Sequence, residues 1–396
     1  MIAKRYREML NQKSVIREIS AYGAERAKEI GYENVFDFSL GNPSVPAPQI
    51  VNETIARLAL EGDSLAVHGY SPSLGIDGVR QAIADSLNRR FGMNYEKAHI
   101  FPTSGAAAAL AHAVRAVTEP GNEVLAFAPY FSEYVPYINE SGAVLKIVPA
   151  NPEDFQINFE AFAAMLNPNV HAVLINTPNN PSGVIYSADT LRKLAALLKE
   201  KEQAYGHDIY IISDEPYREI VFDGKETPYT SNYYDNTISC YSFSKSLSLP
   251  GERIGYIAVN PACQDAVLLV EIFGQISRGI GHNCPSSIIQ LAIGELLDNT
   301  ADLQVYETNM HILYDALTEM GYSCVKPDGT FYMFPKSLEP DAVAFCNKAK
   351  EFDLLLVPGD GFGCPGHFRM AYCVPTEKVM RSLDAFRKLA EYYQQR

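Results

Sequence analysis

From about residue 120 to residue 260, short apolar runs alternate with stretches of helical or turn character. The runs are VLAFAP (124–129), AVLKIVP (143–149), HAVLINTP (171–178), IYIISDE (209–215), ISCYSFSK (238–245) and RIGYIAVN (253–260). All are rich in Val and Ile and too uniformly apolar to be half-exposed. That is the texture of central strands in a sheet covered on both faces. Between them lie helical stretches such as INFEAFAAML (157–166) and SADTLRKLAALLKE (187–200), the second opening on Ser187 as a cap. The alternation predicts an α/β domain over residues 50–290.

The flanks have a different texture. Ile16 and Ile19 repeat at helical spacing in SVIREI, AYGAERAKEIG stops at Gly31, and the Pro-punctuated DFSLGNPSVPAP follows. After residue 300, the helical LQVYETNMHILYDALTEMG precedes the short runs GTFYMFP and LLLVPG and a final helix, KVMRSLDAFRKLAEYYQQR. Residues 1–49 and 291–396 are therefore expected to form a second, smaller α+β domain.

At 396 residues, the chain is long enough for a large domain with a smaller one attached. The net charge of −14 disfavours nucleic acid and anionic membrane as partners, while leaving room for a local positive pocket. The seven cysteines are widely and irregularly spaced with no CxxC pair, as expected of free thiols in a reducing compartment. The first twenty residues lack an apolar signal core, and no run has the length of a membrane span. A cytoplasmic protein is the expectation. The eight histidines show neither HxxxH nor HExxH spacing, so no metal site is expected.

Candidate chemistry concentrates in six segments. In SFSKSLSLPGERIG (242–255), Lys245 stands beside Ser242 and Ser244 and is followed by Arg253. A lysine that binds an aldehyde covalently, beside groups that neutralise a phosphate, points to pyridoxal 5′-phosphate. Lys245 must be neutral to attack, and burial beside positive charge lowers a lysine pKa. Asp214 ends the apolar strand of IISDEPYREI, where a protonated pyridine nitrogen would give the carboxylate a partner; a helix cap is the competing reading. Tyr217 is then in reach of the ring's 3′ oxygen.

TSGAAAAL (103–110) places Gly105, Ala106 and Ala107 at a strand-to-helix turn whose amides can cradle a phosphate, or which is simply an Ala-rich helix start. In FAPYFSEY (127–134), Tyr130, Phe131 and Tyr134 are available to stack on a planar ring or to fill a core. NTPNNPSG (176–183) forms a rigid turn from which Asn180 can donate to a phenolate oxygen. Arg369 lies between apolar residues in GHFRMAY, as a clamp for a substrate α-carboxylate or as half of a structural ion pair.

Taken in order, these segments resemble the class I/II aminotransferases, fold-type I enzymes similar to aspartate aminotransferase. SxSKxxxxxGxRxG with PNNPSG and SDEPY is the most specific part of the match. The resemblance implies a mostly parallel seven-stranded sheet covered by helices, and a homodimer with shared active sites. It implies that Lys245 carries the cofactor aldehyde, Asp214 faces the pyridine nitrogen, and Asn180 and Tyr217 face the 3′ oxygen. Phe131 takes the stacking position, and Gly105, Ala106, Ala107, Ser242, Ser244 and Arg253 the phosphate cup. Gly41, Asn180 and Arg369 are implied at the substrate, and Tyr70 is implied to reach the neighbouring subunit's phosphate. Arg278 is a further candidate for a distal substrate carboxylate across the dimer.

The expected activity is transfer of an amino group from an L-amino acid to a 2-oxo acid. A carbon–sulfur β-lyase of the same fold is the alternative. Two departures stand out: Ala106 and Ala107 carry no hydroxyl where many relatives have one, and Phe131 replaces the tryptophan of classical aspartate enzymes. The chain has no tryptophan at all.

Overall fold

The computed structural model describes residues 2, 4–11 and 15–395; Ser14 of the SVIREI run lies outside them. Seven strands form the central sheet: β1 Ile100–Thr103, β2 Glu123–Phe127, β3 Val144–Val148, β4 Val170–Asn176, β5 Tyr210–Asp214, β6 Thr237–Ser242 and β7 Gly255–Val259. Their spatial order is β1-β7-β6-β5-β4-β2-β3. Only β7 runs antiparallel to its neighbours. The fold is the α/β arrangement that the alternation of apolar runs and helices predicts.

Strand pleating sends alternate residues to opposite faces. Val124 and Ala126 pack with Leu110, Val114, Leu269 and Phe273 from the helices Ala106–Val117 and Ala266–Ile280. Leu125 and Phe127 join Phe162, Leu191, Leu194 and Leu198 from Phe159–Met165 and Ala188–Tyr205. Ser187 caps the latter helix, its Oγ accepting from the Thr190 amide at 3.0 Å.

One strand departs from the expectation of burial on both faces. β3 alternates exposed and half-buried positions, with Val144 40% exposed. It lies at one end of the strand order with only β2 beside it, and unlike β1 at the other end, which is buried throughout, it is left partly uncovered.

A separate hydrophobic core gathers Leu313, Leu317, Phe345, Phe368, Met370, Phe386 and Leu389. The helices Gln304–Glu319, Ala342–Ala349 and Thr376–Gln394 supply much of it. They pack with a three-stranded antiparallel sheet in the order Val357–Pro358, Phe368–Ala371, Tyr332–Met333. Phe36–Asp37 pairs in parallel with Leu354–Leu355, which ties the N-terminal segment to this region and aims Ser39–Gly41 back at the large sheet.

Sheet register then sets the positions that matter. Asn176 at the end of β4 pairs with Asp214 at the end of β5, and Asp214 pairs with Cys240, two residues before the end of β6. Three carboxyl ends therefore open side by side, the edge at which open α/β sheets take ligands. All seven cysteines are free; Cys284 and Cys324 are half-buried and the others buried. Among the described residues, no helix is long and apolar enough to cross a membrane.

Candidate active site

Asp214 is the last residue of β5 and is buried. Its Oδ2 accepts a hydrogen bond from the Tyr134 hydroxyl at 2.6 Å, while its Oδ1 has no partner among the described residues. Burial raises the carboxyl pKa to about 7, with Tyr134 opposing the shift and Glu215 adding to it. Asn176 ties the two strand ends together: its Nδ2 donates to the Asp214 carbonyl at 2.8 Å, and its Oδ1 accepts from the Asn180 amide at 2.7 Å.

β6 runs into a single helical turn, Phe243–Ser246, capped by Ser242, whose Oγ accepts from the Ser244 amide. That turn carries Lys245 toward the N-terminal segment, and Nζ donates to the Gly41 carbonyl at 2.7 Å. Burial lowers the lysine pKa to about 8; Cys373 opposes the shift, and the charges of Arg369 and Arg253 push the same way as burial. Ser242 and Ser244 are joined through their hydroxyls at 2.8 Å. Beyond them, Arg253 donates to the carbonyls of Pro250 (2.9 Å) and Ser104 (3.2 Å).

Ala106 and Ala107 open the helix Ala106–Val117, whose first turn has neither a side-chain cap nor an acidic residue. Its free amides and dipole leave a positive end facing the cleft. Gly105, at φ +85°, stands just before it; a Cβ there would lie 2.9 Å from Arg253 Nη2.

Arg369, the second residue of Phe368–Ala371, is almost wholly buried. It donates to the Ser39 carbonyl and, at 3.4 Å, to Asn180 Oδ1, and its Nε has no partner among the described residues. Its guanidinium lies 4.8 Å from the Tyr332 ring centroid and 5.0 Å from that of Phe362. No carboxylate is paired with it among the described residues, so the structural ion pair considered for this arginine is not what holds it.

These groups share a cleft of about 450 Å³. Of the residues singled out from the sequence, Gly41, Ala106, Ala107, Phe131, Asn180, Asp214, Tyr217, Ser242, Ser244, Lys245, Arg253 and Arg369 line it; Gly105, which sits behind Arg253, and Tyr70, Tyr130, Tyr134 and Arg278 do not. Phe131 forms part of one wall, edge-on to Tyr134 at 5.7 Å. Tyr217 forms part of another, its hydroxyl 3.4 Å from that of Tyr332. Tyr70 is fully exposed and shares a separate depression with Arg278.

Sequence reasoning passed over Asn176, Tyr332, Ile16, Arg17 and Glu133, all of which line the cleft. Asn176 opens the NTPNNPSG turn and its strand-end position was the available signal; the others come from segments whose approach only the fold reveals. Away from the cleft, Asp223, Glu307 and His311 bring ligand atoms within 4.8 Å of one another. Their polar atoms are already engaged: Asp223 with Lys326 (2.8 Å) and His311 (3.1 Å), Glu307 with the Asp223 amide (2.7 Å).

The family model for aminotransferases of class I and II matches residues 33–386. The chain belongs to that family. Its members are pyridoxal-phosphate-dependent transaminases. This aminotransferase is 31% identical over 358 residues to an aspartate aminotransferase of Thermotoga maritima, covering 89% of this chain and 90% of the relative. A solved aminotransferase from Eubacterium rectale superimposes with a TM-score of 0.97 at 47% identity over 99% of both chains. The aspartate aminotransferase of Thermus thermophilus with maleate superimposes at 0.85 with 25% identity, covering 98% of this chain and 99% of that one.

The cleft of this aminotransferase fits the cofactor on its own geometry. A buried carboxylate oxygen without a partner suits a protonated ring nitrogen. The uncapped helix start with Ser242, Ser244 and Arg253 suits a phosphate. Among the described residues, Lys245 is the one lysine lining the cleft.

Proposed function

We propose that this aminotransferase moves the amino group of an L-amino acid to a 2-oxo acid, with 2-oxoglutarate as acceptor, in two half-reactions at one site. The observation that carries this reading is Lys245: a lysine with its pKa lowered to about 8, hydrogen-bonded to the Gly41 carbonyl beside the buried Asp214 and Arg369. Such an amine exists in both protonation states near neutral pH, which is what a group that gives and takes a proton requires.

Pyridoxal phosphate, when bound, supplies the electron sink for the pair released at the substrate Cα. In this reading, Lys245 would hold the cofactor through its aldehyde, and its Nζ, when free, would be the group that takes and returns the substrate Cα proton. Asp214 keeps the ring nitrogen charged through Oδ1. Asn180 and Tyr217 donate to the 3′ oxygen and Phe131 packs on the ring face. Ser242, Ser244, Arg253 and the amides of Gly105, Ala106 and Ala107 bind phosphate, the amides replacing hydroxyls that this chain lacks at 106 and 107. Arg369 grips the α-carboxylate with two parallel hydrogen bonds, and Asn180 and the Gly41 segment line its other side.

We read the molecule as a homodimer in which Tyr70 completes the partner's phosphate site. Its full exposure, and its place beside Arg278 in a depression outside the cleft, support this. We read residues 50–290 as the cofactor-binding domain, and 1–49 with 291–396 as the smaller one. A cytoplasmic setting suits the seven free thiols.

The test is to add single L-amino acids to the holoenzyme without acceptor while following its absorption and free ammonia. The expected result is conversion to the pyridoxamine form with one 2-oxo acid per site and no ammonia, reversed by 2-oxoglutarate. Catalytic ammonia and pyruvate from cysteine-type substrates would favour the β-lyase instead.

A further inference from the structure

Resting on the assignment of Asp214 to the ring nitrogen, we infer that Tyr134 is a positioning residue that fixes which oxygen of Asp214 is offered to the cofactor. Tyr134 opens the short helix Tyr134–Asn139, is 1% exposed and packs within the apolar cluster on one face of the large sheet. In that setting a phenylalanine would serve as well for packing. The hydroxyl is what needs explaining, and among the described residues it has one partner, Asp214 Oδ2 at 2.6 Å.

The two carboxylate oxygens are thereby made unequal. Oδ2 is engaged, Oδ1 is buried with no partner among the described residues, and Asp214 lines the cleft. Rotation of the carboxylate about its last bond would break the phenol contact, so that contact holds one oxygen free in one direction. The Asn176 bond to the Asp214 carbonyl fixes the backbone below it.

Tyr134 acts only as a donor here, because burial and the neighbouring Asp214 charge push its own pKa well above the ordinary value. Its hydrogen bond favours the ionised carboxylate and so offsets part of the desolvation that burial imposes on Asp214. Its ring meets Phe131 edge to face at 5.7 Å and 89°, so one side chain steadies both the ring-nitrogen partner and the stacking wall. Tyr134→Phe separates these functions: the ring stays and the hydroxyl goes.

The experiment compares wild type, Tyr134→Phe, Asp214→Asn and the double variant. Two quantities are read: the Kd of pyridoxal phosphate for the apoprotein, and the ¹⁵N shift of ring-labelled cofactor in the holoenzyme. Tyr134→Phe should weaken cofactor binding about tenfold, the loss expected of a hydrogen bond to a charged group. It should also move the nitrogen signal toward the unprotonated ring. In the Asp214→Asn background, the same change should add little to either readout, because the residue acts through the ionised carboxylate. Equal losses in both backgrounds would reduce Tyr134 to packing and overturn the inference, as would an unchanged Kd and nitrogen signal in Tyr134→Phe. If Asp214→Asn alone left both readouts unchanged, the assignment of Asp214 would fall, and the inference with it.

Discussion

Lys245 and Gly41 stand 204 positions apart in the chain, and the lysine Nζ donates to the glycine carbonyl across 2.7 Å. The contact closes the cleft between the turn after β6 and the N-terminal segment. It also ties the lysine by a neutral acceptor, with no carboxylate bound to it among the described residues. A carboxylate partner would have raised the lysine pKa; a carbonyl leaves burial free to lower it.

The first expectation concerns pH. With Lys245 at about 8, half of the amine is neutral at pH 8 and nearly all of it about one pH unit higher. The rate at which apoprotein takes up pyridoxal phosphate covalently should therefore rise from pH 6.5, pass its half-maximum near 8 and level off about one unit above. Stopped-flow absorption checks this; a rate still climbing steeply at pH 10 would mean an ordinary, solvated lysine. Lys245→Ala should cut transamination by at least about 10²-fold, the scale of general acid–base catalysis.

Asp214 predicts a conflict between stability and function. Its folded pKa, about 7, lies above the unfolded carboxylate value, so the folded apoprotein binds more protons between these limits. Stability from this group is intact below about pH 4, falls as pH rises toward 7, and is then constant. Asp214→Asn removes the titration. The melting temperature of the apoprotein variant relative to wild type should thus improve between pH 4.5 and 7.5, by an amount worth up to a few kcal/mol at ~1.4 kcal/mol per pKa unit. Cofactor affinity should fall at the same time. A difference between variant and wild type that does not move with pH would show Asp214 to be ionised at little cost.

Much of the cleft was legible because its chemistry is local to a few short segments. Lys245 is flanked by serines, Asp214 ends an apolar strand, and Arg369 sits between apolar neighbours, so each is conspicuous before any fold is known. Tyr332 and Arg17 are different. Helical or strand spacing says that these segments are ordered, but which face meets the cleft depends on how Phe36–Asp37 pairs with Leu354–Leu355 and how Tyr332–Met333 pairs with Phe368–Ala371. Tyr134 was visible as an aromatic, yet nothing in FAPYFSEY says that its hydroxyl points at a carboxylate eighty residues on. The exposure of β3 was hidden for a similar reason, because how far other elements cover an edge strand is set by the fold: β1, at the opposite edge, is buried throughout.

Gly41 offers a steric test of the same region. A Cβ built there would stand 1.7 Å from the Tyr332 hydroxyl oxygen and 2.6 Å from the ring carbon bearing it. Tyr332 in turn lies against the Arg369 guanidinium. Gly41→Ala must displace one of these, and misplacement on the ångström scale costs about 10²-fold. The expected loss of that order is in kcat/KM for the amino acid, with cofactor affinity little changed because the phosphate groups lie elsewhere. Steady-state kinetics beside a cofactor titration decides it; wild-type kinetics would mean that the Gly41 segment moves freely.

The exposed Tyr70 carries the sharpest test of the dimer. Consider Lys245→Ala chains mixed and refolded with Tyr70→Ala chains. If Tyr70 serves the partner's cleft, each mixed dimer holds one site with an intact Lys245 and an intact Tyr70, and one site lacking both. Each such dimer should regain one fully active site, so activity should rise well above that of either parent. If Tyr70 serves its own cleft, each site of a mixed dimer keeps one defect and the mixture stays at the average of its parents. The outcome is read as transaminase activity at a cofactor concentration that leaves the Tyr70→Ala parent largely unloaded, since removal of one phosphate hydrogen bond should weaken loading about tenfold. Sedimentation of the wild-type chain as a monomer under the same conditions would remove the dimer altogether.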